Sequence, residues 1–128
     1  MTPSQDDRAR YWLLGDLGLV LLAMGDAPGA ARLITEALQT VREKGWGQQV
    51  CEANIGLAAC ALARGQLDEA RTYVHEAWDF LKEHGWFGLG NPGKTYRICI
   101  DTFEALGETE QVAEVLEIAH QILVDYAN

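Results

Sequence analysis

At 128 residues the chain is long enough to fill one compact unit and too short to fill two. With 48% hydrophobic and 23% charged residues spread along it, wholesale disorder is excluded. Ten basic against nineteen acidic residues leave a net charge of −9, which excludes a nucleic-acid surface, because gripping phosphates needs a clustered excess of Lys and Arg.

The opening MTPSQDDRAR lacks the basic start and apolar run of a secretory signal. A first helix is predicted over roughly 8–24. Its stretch from Tyr11 to Met24 is apolar nearly all round, yet it carries Asp16 and two glycines and is too short to span a bilayer. An end helix of a stacked array should show a polar outer face, so this one expects a cover: a preceding unit or a second copy, with Leu13 and Val20 as the self-associating residues of a homodimer. Gly25-Asp26 breaks the pattern, and a second helix, about 28–44, ends where Gly45 follows Lys44. A third helix, about 48–64, and a fourth, about 67–84, are separated by Gly65-Gln66 and closed by Gly85. After a glycine-rich linker, Asn91 is placed to cap a fifth helix, about 92–106, with Pro92 in its first position. Gly107-Glu108 precedes a sixth, about 109–126, whose stripe Val112, Val115, Ala119, Ile122 and Tyr126 has acidic residues off it, as a closing cap would. Strand signals are nearly absent, since no Asn-Gly or Asp-Gly hairpin turn occurs.

The chain repeats itself. REKGW at 42–46 returns as KEHGW at 82–86, and Gly25, Ala30, Glu36 and Ala37 return forty residues later as Gly65, Ala70, Glu76 and Ala77. A weaker third copy, with Gly107, Leu116 and Ala119, follows at a shift of 42. Three helix-turn-helix repeats, about 8–45, 46–86 and 91–128, make a single all-α solenoid over 1–128. Small residues mark the inner crossings: Gly18 or Ala58 on the first helix of a pair, Ala30 and Ala37 or Ala70 and Ala77 on the second. Trp46 and Trp86 recur after the closing glycines, which predicts that both plug the junction between units. Asn54 puts a polar amide where the other repeats carry Leu14 and Tyr96 and should need a hydrogen-bond partner, while Val112 and Ile100 replace small residues and predict a wider third crossing.

Chemistry is sparse. Gly88-Leu-Gly-Asn-Pro-Gly-Lys94-Thr95 matches the pattern of a phosphate-cradling loop, so nucleotide or phosphate binding by Gly93, Lys94 and Thr95 is the alternative reading. That chemistry needs a strand feeding a loop of free N–H groups; here a helical run precedes it, and Pro92 has no N–H to give. The only serine is Ser4, so no serine triad forms; the three cysteines, Cys51, Cys60 and Cys99, fall on first helices and His75, His84 and His120 on second ones, which leaves a Cys–His pair as the alternative to the expected packed thiols and surface histidines. No catalytic residue, cofactor or metal is expected. An odd cysteine count without a CxxC pair fits buried thiols in a reducing cytoplasm.

The order Leu14, Leu17-Gly18, Leu21, Gly25-Asp26, Ala30, Ile34, Ala37 resembles the tetratricopeptide repeat (TPR), as do Leu57-Ala58, Ala61, Gly65, Ala70, Val74, Ala77 and, in the third unit, Tyr96, Cys99, Phe103, Gly107, Leu116, Ala119. The last unit also resembles the closing repeat of bacterial multidomain signalling and regulatory proteins. The resemblance implies an α-α superhelix of six helices that binds a protein or peptide and catalyses nothing. It places Trp12, Gly15, Leu19, Glu52, Ile55, Ala59, Arg97, Asp101 and Glu104 along a concave groove. A segment with an apolar anchor would meet Trp12 and Leu19, and its basic group Asp101 and Glu104; equally, Trp12 and Leu19 could simply pack on their neighbours. The asparagine-lysine clamp with which some relatives hold a terminal carboxylate is not visible.

Overall fold

A computed structural model describes residues 3–127. Six helices follow one another: α1 (Pro3–Ala23), α2 (Ala27–Lys44), α3 (Gly47–Ala63), α4 (Leu67–His84), α5 (Pro92–Ala105) and α6 (Thr109–Ala127). Among the described residues there is no strand. The helices form three antiparallel pairs that stack as a solenoid, as the repeat predicts. Helix α1 begins earlier than its apolar pattern, because its polar first turns are tied down: Asp7 reaches Lys44 at 2.8 Å, Arg10 pairs with Glu36, and the Arg8 guanidinium lies 5.0 Å over the Trp46 ring.

The turn inside each pair is the same motif three times. Asp26 N–H donates to Leu21 O at 2.8 Å, Gln66 N–H to Ala61 O at 2.9 Å and Glu108 N–H to Phe103 O at 2.9 Å, each across a glycine with φ between 74° and 90°. A six-to-one bond of this kind requires a left-handed residue, which is why glycine stands at 25, 65 and 107.

Between pairs the copies diverge. At Gly45 the same motif recurs, with Trp46 N–H donating to Val41 O at 3.1 Å, so α3 starts after two residues and Trp46 turns into the core of the first two pairs. At Gly85 ψ is −172° rather than 25°, and the chain departs into the longer segment 85–91. The longer segment, offset by an α5 of 14 residues against 17 in α3, gives the shift of 42 in the third copy, and its path sends Trp86 to a partly exposed cleft beside α5 and α6, not to the junction plug that its repetition implies.

Two apolar clusters hold the array. Tyr11, Ile34, Leu38, Val41, Ala53, Leu57 and Cys60 join the first two pairs. Ile55, Val74, Trp78, Leu81, Tyr96, Phe103 and Val115 join the second and third. Gly18 earns its place in the first crossing: a Cβ there would lie 2.7 Å from Ile34 Cγ1 and 3.3 Å from Ala30 O. Asn54 is buried, but its Oδ1 finds no partner among the described residues. The third pair is in contact over less of its length than the others. Helix α6 is not the polar cap that its acidic residues suggest: Leu116, Leu123, Val124 and Tyr126 all reach solvent, and Val115 is its one fully buried side chain.

Candidate ligand groove

The first helices of the pairs share one face, where α1, α3 and the start of α5 enclose a cavity of about 310 Å³. Its base is apolar: Ile34, Ala37, Ala53 and Ile55 are buried there, with Ile98 beside them. Trp12, Asp16, Glu52 and Lys94 stand around it.

The segment 85–91 shapes one end. Leu89 is buried, Gly88 O accepts from Gln49 Nε2 at 2.9 Å, and Gly90 N–H donates to Glu52 Oε2 at 2.8 Å. Gly90 lies so close to the Trp12 ring that a Cβ would sit 2.2 Å from Cη2. Trp12 in turn meets the Tyr11 ring edge-on, with centroids 5.2 Å apart. The other oxygen of Glu52 accepts from the Tyr11 hydroxyl at 3.1 Å. Burial pushes the Glu52 carboxyl above the usual carboxylate range, although the bonds from Gly90, Tyr11, Asn91 and Gln49 favour its charge. Burial and the neighbouring Glu52 likewise raise the Tyr11 phenol, which stays a neutral donor.

The predicted groove residues separate into two sets. Trp12, Gly15, Leu19, Glu52 and Ile55 line the cavity together. Ala59 is half-buried outside it, and Arg97, Asp101 and Glu104 lie exposed farther along α5, with Arg97 Nε 3.9 Å from Asp101. Arg97 borders the second cleft instead, with Trp86. Asp16, Gly90, Lys94 and Ile98 belong to the cavity without having been singled out for it. For Asp16 the signal was its place one turn after Trp12; for Gly90 no local signal existed, because only the path of the segment brings it there.

The glycine-rich segment makes structural bonds throughout. Asn91 caps α5 by accepting from Lys94 N–H at 3.1 Å, with Pro92 behind it. Thr95 is buried, and both its hydroxyl and its N–H donate to Asn91 O at 3.1 Å. Leu89 N–H donates to Trp86 O, so several donors that a phosphate would need already have partners.

All three cysteines are buried. Desolvation pushes the Cys51 thiol up to about 12 and raises Cys60 and Cys99 as well, the reverse of what a nucleophile needs. His75 Nε2 lies 2.6 Å from Glu108, and the His84 ring stacks on Phe80 at 4.2 Å. Among the described residues, no group of three His, Cys, Asp or Glu is placed to hold a metal ion, and no helix is long and apolar enough to cross a membrane.

No family model and no curated protein matches the chain. Its structure is similar to the crystal structure of the TPR domain of Arabidopsis FLU, with a TM-score of 0.69 over 93% of this chain and 98% of that one, at 18% identity. The fold is a TPR-like helical repeat.

Proposed function

We propose that the protein is a non-catalytic scaffold whose groove takes a protein segment presenting one apolar side chain next to a basic one. The cavity carries this reading: an apolar base just large enough for one or two side chains, with Glu52 half-buried at its edge and Asp16 beside it. Trp12 and Leu19 would hold the apolar group, and Glu52 the basic one. Asp101 and Glu104, exposed along α5, would extend the negative potential and steer the rest of the segment. A cation entering the groove would meet Glu52 away from bulk water, with the Gly90 N–H and the Tyr11 hydroxyl already holding the carboxylate in place.

The test is fluorescence anisotropy with labelled decapeptides that pair Leu or Phe with Lys or Arg at varied spacing, each beside a version with Glu for the basic residue. Binding should weaken about tenfold in Glu52→Gln and in Trp12→Ala, and less in Asp101→Ala, since one desolvated charge contact is worth about 1.5–3 kcal/mol and an exposed one about 0–1. Equal binding of the basic and acidic peptides would overturn the assignment.

A second role rests on α1, where Leu13 and Val20 point into solvent more than half exposed. The chain would associate with itself through them. Three buried free thiols suit such a scaffold to the cytoplasm.

A further inference from the structure

The two ends of the solenoid leave complementary faces open, and the internal repeat shows what each face is built to meet. On the first helix of each pair, one trio of positions turns toward the preceding pair. In α3 it is Ala53, Leu57 and Cys60, and in α5 it is Thr95, Cys99 and Thr102; all six are 5% exposed or less. The same trio in α1, forty residues earlier, is Leu13, Leu17 and Val20, which are 44–60% exposed. On the second helices the matching face is Ile34 with Val41 in α2 and Val74 with Leu81 in α4. These are buried, the first two against the α3 trio and the latter two in the cluster that holds Cys99. Forty-two residues on, the α6 equivalents are Leu116 and Leu123, which are 51% and 68% exposed, with His120, the counterpart of buried Leu38 and Trp78, exposed between them.

We infer that the protein associates head to tail, the Leu13–Leu17–Val20 face of one copy seating on the Leu116–Leu123 face of the next. This rests on the self-association read for α1 and names the surface that α1 meets. Size supports a second copy as the occupant. The internal trios carry small residues, Ala53 and Cys60 or Thr95 and Thr102, and their junctions are filled. The α1 trio carries Leu and Val instead, and the α6 end offers an apolar cleft of about 450 Å³ beside Leu123, walled by Trp86, Ile100 and Tyr126. The contact uses different faces on the two copies and does not close on itself, so it extends the array. Each copy carries a net charge of −9, so salt should strengthen the association by screening repulsion while leaving apolar burial intact.

The experiment is molar mass by light scattering across a wide concentration range, on the wild type and on two lysine variants, Leu13→Lys/Val20→Lys and Leu116→Lys/Leu123→Lys. Lysine lowers the net negative charge, so any loss of association cannot come from general repulsion. Circular dichroism confirms that both variants keep the helical fold, as substitutions at exposed positions should. The expected wild-type mass rises steadily above 14.1 kDa with concentration. Each variant alone should remain a monomer, and their equimolar mixture should form a dimer and nothing larger, because each retains one sound face. If the α6 variant associates like the wild type while the α1 variant does not, two α1 faces pair with each other; the head-to-tail contact is then wrong although self-association stands. A wild type that stays monomeric at every concentration overturns both.

Discussion

Replacing Gly90 by alanine tests whether the segment 85–91 really builds the groove. The added Cβ would lie 2.2 Å from Trp12 Cη2, 2.6 Å from Cζ3 and 3.2 Å from Glu52 Oε2. Carbon atoms rest at about 3.5–4.0 Å, so the ring or the segment must move by more than about 1 Å. If Trp12 swings out, it gives up the buried part of its ring, about 100 Å² on the scale of aromatic side chains, or about 2.5 kcal/mol at about 25 cal/mol per Å². If the segment retreats instead, the bond from Gly90 N–H to Glu52 is lost, a charge-assisted contact worth about 1.5–3 kcal/mol. Either route costs about 2 kcal/mol, and urea unfolding should show the midpoint falling by about 1 M. Gly93→Ala is the control from the same segment: its Cβ would meet only Asn91 Oδ1, at 3.9 Å, and alanine suits the first turn of α5 at least as well as glycine. The two routes are separable, since Trp12→Ala made together with Gly90→Ala should cost less than the sum of the two if the ring is the obstacle. A Gly90→Ala protein as stable as Gly93→Ala would refute the account, because no accommodation is free at 2.2 Å.

At the first crossing, Gly18→Ala should destabilise by about 1–3 kcal/mol through overpacking on Ile34, whereas Gly15→Ala, with nothing within 4 Å, should be neutral or stabilising; thermal unfolding of the pair checks the helix spacing. Glu52 supplies a pH signature. Its folded carboxyl titrates above the unfolded one, so its neutral form's stability is fully present below the unfolded value near about 4.3 and is lost as pH rises through the folded value. Relative to the wild type, Glu52→Gln should therefore gain stability between about pH 4 and pH 7, and a difference that stays flat over that range would show that the carboxyl is not desolvated.

Local rules carried most of the fold. The three turns inside the pairs were readable because a left-handed residue is a property of one position, and glycine at 25, 65 and 107 announces it. The Asn91 cap with Pro92 was readable for the same reason. Gly18 marked the first crossing because a helix needs a missing side chain wherever another helix comes that close. Of the residues that the resemblance places along a groove, Trp12, Gly15, Leu19, Glu52 and Ile55 line one cavity.

What depended on distant partners was not legible. KEHGW repeats REKGW closely, yet Gly85 leaves its helix with a different ψ, and Trp86 ends in another place from Trp46. That divergence is set by where Leu89 can bury and by Glu52 receiving Gly90 N–H, neither of which is encoded near residue 85. Asp101 and Glu104 lie outside the cavity, whereas Lys94 lines it. Helix α6 has a sound amphipathic period, but periodicity records only that a face is apolar, not whether anything lies against it. The sequence by itself thus determined six helices, their pairing and their turns, because these follow from interactions a few residues apart. Only the tertiary structure decided the route of 85–91, the closed end of the groove and the two bare faces, because each depends on which surfaces far apart in the chain come to lie together.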